Sequence, residues 1–313
     1  MTTLKDVAKK ANVSQMTVSR VFNHPETVSD ELKELVFAAV EELNYRPNAS
    51  AKALKNQRTQ NIKVLILEDM SSAEPYYMQV LAGITKRLEV HQYSLQLATQ
   101  LNTNFDTCDG LIVMGAKNTD HPKLSKITKP FVLFGENPEF DFVDTDNQDD
   151  IYQATIYAHH CGYEHLYYIG LDCSETFAKK RRMGYERAIK HLNYSSHIFD
   201  ISGQHDRELD FLRQLPLKKN SAFICATDKI ALEVISILEN KYTLPTDLGV
   251  IGHDGILLDN IFEHHLTTMA QRFEQMGDYL AEMLLAKIYT KPLLNSRLFP
   301  ADLLVRQTTR PIQ

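Results

Sequence analysis

The chain contains no tryptophan and only four cysteines in 313 residues. Cys108, Cys161, Cys173 and Cys225 are scattered and form no C-x-x-C pair, so they read as the reduced thiols of a cytosolic protein. Without tryptophan, any aromatic platform must be built from tyrosine or phenylalanine. No apolar run approaches the ~20 residues that a membrane span requires. Met1 to Ala11 is a polar amphipathic pattern with no apolar signal-peptide core. The expectation is a cytoplasmic protein with no membrane partner. The sequence also has no nucleophile elbow, no phosphate-binding P-loop and no H-E-x-x-H. No pair of acids is marked for acid–base chemistry. The chain therefore reads as neither an enzyme nor a cofactor protein. His159-His160 and His264-His265 lack metal spacing, because neighbours on a helix or strand do not share a face; no metal is expected.

Charge is unevenly placed. Residues 1–58 carry nine Lys or Arg against seven Asp or Glu, and the remainder carries 25 against 33. A mildly basic end on an acidic chain is what DNA contact confined to that end produces. With 43% hydrophobic residues, the length suits more than one packed core.

The basic end is patterned as three helices. Thr3 caps a first helix with Asp6 at the third position, as in a capping box, and Leu4, Val7, Ala8 and Ala11 share one face. Asn12-Val13 makes a tight turn, and Ser14 caps a second helix from Gln15 to about Asn23. Val18 and Val21 face inward with Val13, leaving Gln15, Met16, Thr17, Ser19 and Arg20 outside or near the helix start. A recognition helix in the major groove needs hydrogen-bonding side chains there. Arg20 is the candidate for a bidentate guanine contact, worth ~1–3 kcal/mol of discrimination. Thr17 and Ser19 suit phosphate or thymine-methyl contacts. Ser29 caps a third helix, Asp30 to about Asn44, with Leu32, Leu35, Val36, Ala39 and Leu43 closing the core.

From Ile62 onward, apolar strand patterns alternate with helical ones. Strands are expected at 63–68, 93–98, 110–114, 131–134, 165–169, 222–226, 250–253 and 303–305, and helices at 76–89, 151–160, 178–192, 229–240 and 273–288. Repeating βα units imply parallel sheets covered by helices on both faces.

The strings TLKDVAKKANVSQMTVSRVFN and VSDELKELVFAAVEELNYRPNASAKAL strongly resemble the lactose-repressor/galactose-repressor (LacI/GalR) family of bacterial transcription regulators. The resemblance continues through PYYMQVLAGI, DFVDTDNQ, RRMGYERAI, ATDKIALEVI, GVIGHDG and LTTMAQRF, and so covers nearly the whole chain. It implies an all-α helix-turn-helix domain over 1–46, a hinge helix and linker over 47–60, and a two-lobed α/β periplasmic-binding-protein-like domain over 61–313. The N-lobe would comprise about 61–161 and 272–299, the C-lobe about 162–271 and 300–313. The chain would cross near Cys161-Gly162, Gln271-Arg272 and Phe299-Pro300.

By the same resemblance the DNA-facing set includes Thr3, Leu4, Ser14, Asn23, Ser29, Tyr45, Asn48, Ala51 and Leu54. Asn48 would cap a hinge helix of about eight residues that forms only on the operator. An isolated helix so short is marginal in water. Leu54 would wedge into the minor groove and kink the DNA. The effector set carried over is Glu74, Tyr76, Asp149, Arg181, Thr227, Asp254, Gln271 and Phe273, whose carboxylates, guanidinium and rings suit a sugar. The implied protein is a homodimeric repressor of a carbohydrate-utilisation operon. Its partners would be a pseudo-palindromic double-stranded operator and a carbohydrate effector. Corepression, control by a protein partner, a sugar-binding transport receptor and an enzyme on the same fold are the rival readings. Lys179-Lys180-Arg181-Arg182 reads as a solvated helix face with one functional arginine, the alternative being a phosphate site. Two positions depart from the family pattern. Thr227 stands where the family usually has asparagine, and only Gln100 to Asp109 connects two strands where the family places a crossover helix. A parallel crossover ordinarily takes a dozen or more residues.

Overall fold

The helical periods at the N-terminus close into a bundle in the computed structural model, which describes residues 2–23, 25–45, 58–68, 76–101, 104–202, 208–255 and 266–312. The chain divides into two compact units, 1–60 and 61–313. In the first, α1 (Leu4–Lys10) starts in a true capping box: Thr3 Oγ1 accepts from Asp6 N–H, and Thr3 N–H donates to Asp6 Oδ2 at 2.8 Å. Asn12, with φ +54°, turns the chain, and α2 (Gln15–Asn23) begins where Ser14 Oγ accepts from Thr17 N–H at 3.0 Å. Val7, Ala8, Ala11, Val18, Val21, Val36, Ala39 and Tyr45 form the core with α3 (Asp30–Glu42). Leu35, expected inside, is 54% exposed. The inward stripe of α3 runs through Val36, Ala39, Val40 and Leu43; at ~100° per residue, Leu35 falls off it and Val40 takes the place beside Ala39.

The second unit contains two six-stranded sheets among the described residues. The first has the order β11-β5-β4-β3-β1-β2 and is parallel throughout. Its strands are β1 (Asn61–Ile66), β2 (Ser94–Ala98), β3 (Gly110–Met114), β4 (Phe131–Phe134), β5 (Phe142–Thr145) and β11 (Arg297–Phe299). The second has the order β12-β10-β9-β8-β6-β7, with only β12 antiparallel. Its strands are β6 (His165–Leu171), β7 (Ile198–Ile201), β8 (Ser221–Cys225), β9 (Leu248–Asp254), β10 (Thr267–Ala270) and β12 (Asp302–Leu304). The helices are α4 (Tyr76–Val90), α5 (His121–Leu124), α6 (Asn147–His160), α7 (Thr176–Leu192), α8 (Asp228–Leu238) and α9 (Phe273–Ile288).

The chain passes between the sheets three times, at 145–147, 270–273 and 299–302. The first passage precedes α6 instead of following it near Cys161-Gly162. The reason is packing: Ile151, Ala154, Tyr157, Ala158 and Cys161 are buried in the core of the second sheet. α6 therefore belongs to the second lobe, and the first lobe ends at about residue 145. Gly184 fixes how closely α6 and α7 approach, since a Cβ there would lie 2.2 Å from the Gln148 carbonyl oxygen.

The short β2–β3 connection is compensated locally. Leu101 and Phe105 pack with buried Cys108 over Leu65, Leu111, Val113 and Leu133. Lys63, buried on β1, donates its ammonium to the Asn104 carbonyl. Side chains from the connection thus cover the sheet face that a crossover helix would otherwise cover.

Candidate DNA interface and ligand cleft

On the reader unit, the buried valines turn the other side of α2 to solvent. Gln15 and Arg20 are exposed, Met16 is 66% exposed, and Thr17 and Ser19 are half-buried. Thr17 Oγ1 also lies 2.8 Å from Ser14 Oγ, so the helix start is held by side-chain hydroxyls. Thr3 and Ser29 are exposed at their caps. Leu4 and Tyr45 are placed differently from a surface set: Leu4 packs on the core, and Tyr45 is buried, its ring 6.3 Å from that of Phe22. They shape the reader from inside. The Asn23 backbone ends α2. Asn48, Ala51 and Leu54 lie outside the described residues, as does Glu74.

In the second unit, α7 carries Arg181 inward, 5% exposed. Its Nε donates to Asn147 Oδ1 at 2.7 Å, its NH1 donates to the Ala226 carbonyl, and the same NH1 lies 3.5 Å from Asp254 Oδ1. Asp254 Oδ1 also accepts from Gln271 Nε2 at 2.8 Å. Asp254 has φ +140°, a backbone strain costing on the order of 1–3 kcal/mol. The Asp228 carboxylate holds the following turn by accepting from Gly255 N–H at 2.9 Å. Three predicted residues are thus brought together, Arg181 and Gln271 each meeting Asp254.

Two residues beyond Gln271, Phe273 stacks on Tyr76 with centroids 5.3 Å apart, and Phe134 lies 6.3 Å from Tyr76. This is a Tyr/Phe surface where strands of the first sheet end. Thr227 stands beside the Ala226 carbonyl, but its hydroxyl is occupied as the cap of α8, accepting from Ile230 N–H at 3.2 Å. Asp149 is not brought into the cluster. It points along the outer side of α6, 3.2 Å from Arg187 and hydrogen-bonded to Gln153. Asn147, two residues earlier, takes the place beside Arg181.

The basic run separates on one helix. Lys179 is exposed, Arg182 pairs with Glu186 and Asp200 on the outside, and Lys180 reaches across to Glu136 of the first lobe at 2.8 Å. Lys117 of the first lobe lies 3.8 Å from Glu175, the cap residue of α7. Two ion pairs therefore bridge the lobes at the cleft. The second oxygen of Glu175, Oε2, is buried there with no hydrogen-bond partner among the described residues. Sequence reasoning passed over Asp144, whose carboxylate accepts from Glu136 N–H at 2.8 Å and Asn147 Nδ2 at 3.3 Å. Burial pushes its pKa up to about 6, with the Glu136 and Thr145 amides and Arg181 opposing the shift.

Comparison with known proteins follows the same division. Residues 3–48 match the model of bacterial regulatory proteins of the lacI family, and residues 157–309 match a periplasmic binding protein-like domain. Helix-turn-helix reader and two-lobed body together define the class: a DNA-binding transcriptional regulator. The HTH-type transcriptional regulator YvdE of Bacillus subtilis (strain 168) is 42% identical over 99% of this chain and 100% of its own length. This chain belongs to the lacI family. A complex of the transcriptional regulator CelR with cellobiose superposes with a TM-score of 0.69 at 25% identity, covering 98% of this chain and all of that one. A lac repressor dimer bound to operator and the anti-inducer ONPF shares the fold, with a TM-score of 0.71 at 23% identity and 99% of each chain covered. Among the described residues no helix is long and apolar enough to cross a membrane.

Proposed function

We propose that this protein is a homodimeric repressor that reads a pseudo-palindromic operator. A neutral carbohydrate in the cleft between its lobes changes its affinity for that operator. The observation that carries the neutral-sugar reading is the charge pairing of the cleft. Lys180, Arg181 and Lys117 each face a carboxylate, Glu136, Asp254 and Glu175 respectively. A phosphorylated ligand would have to break such a pair. A sugar hydroxyl instead finds an acceptor in Glu175 Oε2, and the C–H face of its ring has the half-buried Tyr76 ring to pack on. The relative solved with cellobiose supports the same ligand class.

On DNA, Gln15, Thr17 and Arg20 would read the major groove, with Asn48, Ala51 and Leu54 acting at the operator centre. The effector residues carried from sequence are Glu74, Tyr76, Arg181, Asp254, Gln271 and Phe273, joined by Glu175. Effector and operator are linked by a coupling free energy that is reciprocal, so operator DNA changes effector affinity by the same factor. Thermal-shift screening of neutral mono- and disaccharides beside their phosphates, followed by anisotropy on an operator found by selection, tests the reading. A neutral saccharide is expected to raise Tm and shift operator affinity; a response confined to phosphorylated sugars would overturn it.

A further inference from the structure

His253 and Asp150 are buried polar groups that neither DNA reading nor ligand contact uses, at 0% and 2% exposure. The His253 ring spans two carboxylates. Its Nε2 donates to Asp150 Oδ2 at 3.3 Å, and its Nδ1 lies 3.4 Å from Asp254 Oδ1 on the cleft side. Nδ1 is also 3.4 Å from Gln271 Nε2. The other end of this bridge is bound to the lobe crossings. Asp150 Oδ1 accepts from Ala301 N–H at 2.9 Å, and Oδ2 accepts from Thr145 Oγ1 at 3.2 Å. The Phe299 carbonyl accepts from Thr145 Oγ1 at 3.0 Å and from Asp146 N–H at 2.9 Å. Asp150 therefore fastens the passages at 145–147 and 299–302 together. Asp254 holds the third passage, its side chain accepting from the Gln271 amide and its carbonyl from Gln271 N–H.

We infer that His253 is a positioning residue that connects the cleft carboxylate Asp254, which holds the crossing at 270–273, through Asp150 to the crossings at 145–147 and 299–302. The use of this connection in effector response rests on the proposed function. The connection itself is a property of the ligand-free chain. Coupling between sites needs a contiguous element with discrete arrangements, and the imidazole supplies one. The Gln271 amide N–H donates to Asp254 Oδ1 in one arrangement and to His253 Nδ1 in the other, while His253 Nε2 keeps donating to Asp150. A ligand that draws on Asp254 or Gln271 selects between them and so alters how Asp150 holds Ala301 and Thr145. An apolar ring at this position would pack but could not transmit.

The test is hydrogen exchange at the Ala301 amide in the ligand-free full chain, so its outcome is independent of effector and operator identity. Asp254→Asn in the otherwise native chain is expected to speed that exchange about tenfold, equivalent to ~1.4 kcal/mol. In a His253→Gln background, which keeps a donor toward Asp150 but loses the Nδ1 link, the same change is expected to alter exchange less than twofold. No response of Ala301 to Asp254→Asn, or an equal response in both backgrounds, would overturn the inference. If His253→Gln does not fold, the ring of the native chain answers. Its Nε2 nitrogen resonance is expected to move in Asp150→Asn and its Nδ1 resonance in Asp254→Asn. A ring insensitive to either change would also overturn it.

Discussion

Replacing Arg181 by methionine keeps an unbranched apolar stem in the buried site and removes every donor that the guanidinium carries. Three acceptors lose a partner: Asn147 Oδ1, the Ala226 carbonyl and Asp254 Oδ1, the last still accepting from Gln271 Nε2. Breaking one side of a buried charge pair costs about 3–5 kcal/mol, a range that already contains the unmet carbonyl and amide because all share one guanidinium. Against a typical total of about 5–15 kcal/mol, the loss is large. The neighbouring Arg182 supplies the control. It pairs with Glu186 at 3.0 Å and with Asp200 while 46% exposed, and exposed pairs of this kind contribute about 0–1 kcal/mol. Urea unfolding of the full chain at pH 7, followed by far-UV circular dichroism, reads both. With a slope of ~3 kcal/mol per molar, Arg181→Met is expected to lower the midpoint by about 1 M or more and Arg182→Met by less than about 0.3 M. Equal, small shifts for the two would refute the claim that Arg181 is the buried tie between α6, α7 and the β9 turn.

Asp144 should make stability depend on pH. Its carboxyl sits at about 6 in the folded chain against an ordinary 3.8, so the folded state holds its proton more tightly. The Asp144 contribution to stability is then greatest below about pH 4 and is lost as pH rises to about 6, by up to ~3 kcal/mol. Asp144→Asn should flatten that segment of a Tm-against-pH curve, and an unchanged slope would count against the assignment. Gly184→Ala places a Cβ 2.2 Å from the Gln148 carbonyl oxygen and should cost about 1–3 kcal/mol or more in denaturant unfolding; a neutral result would mean α6 and α7 are not in close contact. Leu54→Ala is expected to weaken operator binding at least tenfold in an anisotropy assay while leaving saccharide affinity in the absence of DNA unchanged. Operator binding as in the native chain would remove Leu54 from the interface.

Much of this structure was legible in the sequence where periodicity is long. Phe273–Ile288 and Gly110–Met114 stand at their expected ends, and α1 and α2 begin at the residues that Thr3 and Ser14 cap. The strands that escaped reading are β5, β7, β10 and β11, of three or four residues each. Segments so short show less than two full alternations, and Thr, Asp and Arg within them dilute the apolar signal. The first lobe crossing was misplaced because α6 carries a weak polar stripe, and only its packing on the second sheet decides its lobe. The cleft network was legible in part. Arg181 and Asp254 stand in strings typical of the family, but Arg181 meets Asn147 across 34 positions and His253 meets Asp150 across 103. No local pattern marks such pairs, because chain topology creates them. Asp149 illustrates the converse. A residue in the right string lies on the outer face of α6, and its neighbours Asn147 and Asp150 carry the contacts.

Control of operator binding by a neutral carbohydrate in the cleft is measured by closing the thermodynamic cycle. The saccharide that stabilises the ligand-free chain is titrated with and without operator, and operator is titrated with and without that saccharide. The same factor is expected on both sides, between about 5- and 150-fold, and is expected to disappear in Arg181→Met. Operator affinity unchanged by every neutral saccharide that binds, or a factor that survives Arg181→Met intact, would contradict such control.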